Sequence, residues 1–150
     1  MSTPPPQAPV YEGLVTRAIA LAVDAAIVDV IALIVGVGLG LVVSTMGFSH
    51  DLRVVLLAFG GAAFVVWTAA YFTVFWSTTG QTPGNRLMRL RVCREDGAPL
   101  SPRRAVWRFG AMVLAALPLL TGFLTVLVDD RRRGLHDMLA GTVVVGLSLP

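Results

Sequence analysis

Lysine is absent from this chain: its twelve basic residues are all arginine, set against nine acidic ones for a formal net charge of +3. Charge of either sign is scarce. Only 14% of the 150 residues are charged, where a soluble domain carries about 25%. That shortage excludes most soluble enzymes and a nucleic-acid-binding domain. A single cysteine, Cys93, excludes an internal disulfide and a cysteine-built metal site. There is no internal repeat of the kind transporters use to alternate access. No Ser/His/Asp arrangement, metal-ligand spacing or supported glycine-rich cofactor motif is present. The chain is therefore expected to be non-enzymatic, with neither cofactor nor metal, and without a nucleic-acid partner.

Apolar runs are what the sequence has in quantity: 55% of its residues are hydrophobic. Residues 1–12 (MSTPPPQAPVYE) carry four prolines and no periodicity, and are expected to form a disordered tail. The tail has no positive charge, and the run behind it is long and holds two aspartates, so a signal peptide is not expected. Residues 13–150 read as one membrane domain. A first helix is expected over about 14–44 and a second over about 54–76, each long enough for the ~20 residues a bilayer core requires. The second ends in Tyr71, Phe72, Phe75 and Trp76, rings that favour the headgroup level. Glycines, a proline and arginines then mark a loop over 77–104, expected to hold an amphipathic surface helix running into a short strand.

A third apolar segment spans about 105–128. As one straight span it would divide the arginines, leaving Arg131, Arg132 and Arg133 opposite the 77–104 loop. If it turns back near Pro118–Gly122, every arginine but Arg53 falls on one side. The positive-inside rule favours that re-entrant arrangement, and Pro118 supplies a break; a plain third span is the alternative. In the C-terminal segment, 129–150, the β-branched run Thr142–Val145 is too short to span and reads as a strand. With the hairpin it lies on the face of Leu90–Cys93 and can pair with it. The expected fold class is an all-α integral membrane protein: two transmembrane helices, a third broken or re-entrant segment, and a small cytoplasmic amphipathic helix with a β-pair.

Asp24 lies well inside the first apolar run, where a charge costs roughly 2.5–3.5 kcal/mol and needs a partner or a wet cavity. Arg17 is seven residues earlier, on the same face and about 10 Å away along the axis. Asp29 falls about 140° round the helix from Asp24, which makes the two a poor carboxylate dyad. Two readings stand. The aspartates bind a proton or cation in transport, or they hydrogen-bond or ion-pair with arginines such as Arg108 or Arg131–Arg133 to fix helix packing. Small residues repeat at Ala18, Ala22 and Ala26, at Gly36 and Gly40, and at Gly60 and Gly61, giving faces on which helices approach closely in lipid. So few helices cannot cover all of these faces among themselves, and a protein partner is expected. Arg86, Arg89, Arg91, Arg103 and Arg104 are candidate contacts to anionic lipid headgroups. His136-Asp137 is a possible acid/base pair that lacks a nucleophile or second ligand.

Three features together resemble the RDD family of bacterial membrane proteins, named for one arginine and two aspartates. Arg17 and Asp24 match the first two letters. Gly80-Gln81-Thr82-Pro83-Gly84-Asn85-Arg86-Leu87 followed by Leu90-Arg91-Val92 resembles the family's Gly-x-Thr-x-Gly-Lys-Arg turn and strand, with Asn85 where lysine is usual. Arg132-Arg133-Gly134-Leu135-His136-Asp137, then Leu139-Ala140-Gly141-Thr142-Val143-Val144, matches the closing motif, with Asp137 as the last letter. The resemblance implies either cation/proton antiport, proposed for some members, or a place within a larger membrane assembly. The leading expectation is an accessory or assembly subunit of an inner-membrane transport complex, lipid uptake being one candidate process. Its partners would be transporter subunits and anionic lipids, with the N-terminus and the arginine-rich loop cytoplasmic. The rival expectation is an oligomeric antiporter acting through Asp24 and Asp29.

Overall fold

A computed structural model of the chain describes residues 11–117 and 121–147. Two long helices come first, α1 (Leu14–Thr45) and α2 (His50–Thr78). At 1.5 Å per residue they are about 48 Å and 43 Å long, more than a ~30 Å hydrocarbon core. Both are long and apolar enough to cross a membrane. The Ser49 hydroxyl accepts from the Leu52 N–H at the start of α2, and Asp51 in the first turn faces the positive end of the helix dipole. A short helix α3 (Pro83–Leu87) leads into strand β1 (Leu90–Arg94). Helix α4 (Pro102–Ala116), a four-residue α5 (Thr121–Leu124) and a 3-10 turn (Thr125–Leu127) follow. Helix α6 (Leu135–Ala140) and strand β2 (Thr142–Gly146) complete the order.

The helices extend slightly past their expected ends, and the loop 77–104 contains, as expected, a helix that runs into a short strand. The strand pairing matches the expectation. β1 and β2 form an antiparallel pair with Leu90 opposite Gly146 and Cys93 opposite Val143. Tyr11 and Glu12, assigned by sequence to the tail, lie along the outer edge of β2: Tyr11 bridges Val145, and the Glu12 N–H donates to the Val144 carbonyl. Residues 1–10 of that tail lie outside the described residues.

The third apolar segment is broken. Fifteen residues of α4 reach only about 22 Å, too short to cross. After it the chain doubles back, and Gly122 sits so close to Ala115 that a Cβ on it would lie 2.8 Å from the alanine Cβ. Hydrogen bonds hold the return: Trp107 Nε1 donates to the Leu139 carbonyl, and the Thr125 hydroxyl to the Arg133 carbonyl. Pro118, the expected break, lies outside the described residues.

The packed core is at one end of the long helices. Ala20 and Val28 of α1 and Tyr71, Phe72 and Trp76 of α2 are buried with Leu90, Val92, Leu100, Ala105 and Val144. The aromatic cluster expected at a headgroup boundary is thus largely interior. Phe72 stacks on Phe109 at 6.0 Å, and the Arg108 guanidinium lies 4.9 Å over the Trp76 ring. The far halves of α1 and α2 are different. From Val30 to Val42 and from Leu52 to Trp67 their large apolar side chains are exposed in the isolated chain.

Candidate functional site

Two buried polar clusters lie at the packed end, each built around one carboxylate. The first is Asp24. Its position on α1 points it at the turn between α2 and α3, and Tyr71, Thr82 and Gly84 meet it there. The Tyr71 hydroxyl donates to Oδ1 at 2.9 Å, the Gly84 N–H to Oδ1 at 2.8 Å, and the Thr82 hydroxyl to Oδ2 at 2.5 Å. Thr82 also caps α3, its hydroxyl accepting from the Asn85 N–H, while Pro83 stands where a helix lacks a bonded N–H anyway. Gly84 is required by approach: a Cβ there would run into the Ala20 carbonyl oxygen and lie 2.9 Å from the Asp24 carboxylate. The Gly80–Leu87 turn therefore spends the Thr82 hydroxyl and the Gly84 N–H on a side chain of the same protein.

The second cluster is Asp137, fully buried at the third position of α6. Arg17 Nη1 donates to its Oδ2 at 2.5 Å. Arg108 Nη1 donates to its Oδ1 and to the Thr142 hydroxyl. The Gly134 N–H closes the shell on Oδ2 at 3.0 Å. Burial by itself would raise this carboxyl, but the charges of Arg108 and Arg17 beside it hold it well below the usual carboxylate range. His136 is 5% exposed and stacks on Phe123 with ring centroids 5.0 Å apart. Loss of water pushes it down to about 4; Asp137 pulls it back up, while Arg108 and Arg17 repel its proton. It is a neutral ring at pH 7. Both Asp137 oxygens are already engaged, by Arg17, Arg108 and the Gly134 N–H.

The expected arginine partnership of Asp24 is corrected by these contacts. Arg108 goes to Asp137, and Arg133 goes to Asp129 and Glu95, which Arg131 also reaches. Among the described residues, Asp24 is held by neutral donors only. The reason is reach: α1 rises about 10 Å between Arg17 and Asp24, so the arginine at its base meets α6 while the aspartate meets the α2–α3 turn. Asp29 is exposed and joins neither cluster. Tyr71 and Thr142 are members that sequence reasoning missed. Tyr71 was hidden in an aromatic run, and Thr142 in a β-branched run that reads as strand.

The small residues divide. Ala18 and Ala22 border a cavity at the Arg17–Arg108 cluster, and Ala26 is exposed. Gly36, Gly40, Gly60 and Gly61 line a groove of about 810 Å³ between the far halves of α1 and α2, with Leu39, Leu57 and Trp67. A Cβ on any of these four glycines would meet nothing within 4 Å. Arg86, Arg89, Arg91 and Arg103 are exposed and Arg104 half-buried; none has an ion-pair partner among the described residues. No group of three or more His, Cys, Asp or Glu placed to hold a metal occurs among the described residues.

The sequence profile of the RDD family matches residues 11–141, from the edge of the sheet to the end of α6. No curated protein and no solved structure matches the chain.

Proposed function

The chain belongs to the RDD family of membrane proteins, and from that premise we propose that it is a non-enzymatic accessory or assembly subunit of a larger membrane transport complex. The observation that carries this reading is the division of the molecule into a closed end and an open end. At the closed end Asp24 and Asp137, the latter bonded by Arg17 and Arg108, hold α1, α3, α4 and α6 together. At the open end the apolar halves of α1 and α2 present glycines that none of the described residues covers. Glycines that serve close packing in lipid need a second helix against them, so a partner's transmembrane helix is the natural occupant. On this reading the long helices span a bacterial inner membrane. The N-terminus, the sheet and the arginines lie on its cytoplasmic side, where Arg86, Arg89, Arg91, Arg103 and Arg104 meet anionic headgroups. The transported substance belongs to the complex rather than to this chain.

A second reading, an oligomeric cation/proton antiporter, draws on one feature: Asp24 has no arginine to neutralise it. Against it stands the occupancy of both Asp24 oxygens and the separation of Asp29, which leave no relay between the two acids.

The experiment is recovery of the tagged full chain at native expression in mild detergent, with mass spectrometry, alongside Gly36→Leu and Gly60→Leu variants. The subunit reading expects a stoichiometric larger membrane complex that both leucine variants lose while keeping their melting temperature. Recovery of this chain alone, or of a complex indifferent to the glycines, overturns it. Asp24→Asn separates the readings: an antiporter loses transport in proteoliposomes and still assembles, whereas a subunit loses abundance or association.

A further inference from the structure

Arg17 and Arg108 carry more donors than their carboxylate can use. Each commits Nη1 to Asp137, and the Nε and Nη2 of Arg17 and the Nε of Arg108 are buried with no hydrogen-bond partner among the described residues. A guanidinium has no acceptor capacity, so these atoms can be satisfied only by an acceptor. Arg108 is 96% buried, and its Nε is not reached by bulk water. Buried polar groups left without partners are rare enough to require a reason.

Both arginines line one cavity of about 460 Å³, open on one side, between the first turns of α1, the end of α2, α4 and the return segment. Its wall is mostly apolar and includes Leu21, Phe72, Trp76, Met112 and Phe123. Apolar walls of this extent with a few convergent polar groups are the make-up of a small-molecule site. The polarity is one-sided. Two guanidinium groups share Asp137, with Glu12 also acting on Arg17, and three of their donors stay unbonded. Asp24 also borders the cavity, but Tyr71, Thr82 and Gly84 already occupy its oxygens. His136 Nδ1 apart, the unmet demand is for an acceptor, and an oxyanion supplies one.

We propose that this cavity binds an amphiphile with an oxyanion head: its carboxylate or phosphate takes the free donors of Arg17 and Arg108, and its alkyl tail lies along Leu21, Trp76 and Met112. Charge-assisted bonds from arginine to such an oxyanion are among the strong ones, and the apolar wall accepts the tail. The site is at the opposite end of α1 and α2 from the open groove and is independent of what covers that groove.

The test uses the full chain in an uncharged maltoside detergent, with native mass spectrometry to count and titrate ligand. Oleate is expected to bind saturably, one per chain, and oleyl alcohol about tenfold or more weaker. Arg17→Lys keeps a cation for Asp137 but removes the free Nε and Nη2, and is expected to weaken oleate by about tenfold. Ala18→Phe puts a ring on the exposed lining of the cavity and leaves both arginines in place in the sequence, and is expected to lose oleate at an unchanged melting temperature. Inorganic phosphate identifies the source of the head. If it displaces oleate, the arginines read a free anion as well as a lipid. If it does not, the tail is required and the ligand comes from the membrane. Equal binding of oleate and oleyl alcohol, oleate binding unaltered in both variants, or no saturable binding overturns the proposal.

Discussion

Arg17 and Asp137 are 120 positions apart in the chain and 2.5 Å apart in the fold. Their ion pair ties the base of α1 to α6, and Arg108 brings α4 to the same carboxylate. The first and last letters of the family's name thus form a single contact, while the middle letter, Asp24, holds a different joint.

Removing the charge of Asp137 leaves two largely buried guanidinium groups without their counter-ion. Breaking a buried pair from one side costs about 3–5 kcal/mol. Asp137→Asn is therefore expected to lower the melting temperature sharply in detergent and to reduce abundance in the membrane. A variant that melts with the parent would show that the triad is not what fastens α1 to α6.

The glycines separate the two ends of the molecule. Gly84→Ala forces a methyl against the Ala20 carbonyl oxygen, an overpacking expected to cost about 1–3 kcal/mol or more. Gly60→Ala meets open space in the interior of α2 and is expected to leave stability unchanged or raise it by up to about 1 kcal/mol. Thermal melts of the two purified variants in one detergent check the contrast. Equal melting temperatures would contradict it.

Acid should loosen the α6 joint. His136 binds its proton more weakly folded, at about 4, than unfolded, at about 6.5. Between those values the unfolded chain holds more protons, so stability is fully present above about pH 6.5 and falls as the pH drops towards 4. The loss is on the order of 3 kcal/mol. Asp137 adds its own loss in the same direction once the pH falls below the ordinary carboxylate range. Melting curves of the parent and of His136→Gln from pH 7 to 4 should diverge, the variant being flatter. Parallel curves would remove His136 as the cause.

Cys93 sits inside β1, 7% exposed, with its thiol pushed up by burial. Thiolate is the reactive form, so a maleimide reagent is expected to label the folded chain slowly and the denatured chain at once. Rapid labelling of the folded protein would mean that the β1–β2 pair opens readily.

The architecture was largely legible in the sequence. Apolar length dictates α1 and α2, the β-branched run after Gly141 dictates β2, the alternation of Leu90 and Val92 with Arg91 suits β1, and the arginine distribution favours a third segment that turns back. These follow from local composition and one-dimensional spacing. The partners of the charges were not legible in this way. Arg108 was an expected partner of Asp24, yet it meets Asp137, and Asp24 is served by a tyrosine, a threonine and a backbone N–H. The Tyr71–Trp76 run has the composition of an interfacial belt and forms part of the core, because α4 folds back over it.

The sequence alone determined which segments are helical and apolar, and that a charge placed among them must be met. Only the tertiary structure decided which group meets which. Long-range pairing depends on where the α2–α3 turn and the α4 return bring side chains separated by tens of residues, and no spacing along the chain encodes that distance. The surplus of guanidinium donors around Asp137 is visible for the same reason only in the fold, since counting arginines says nothing of how many share one carboxylate.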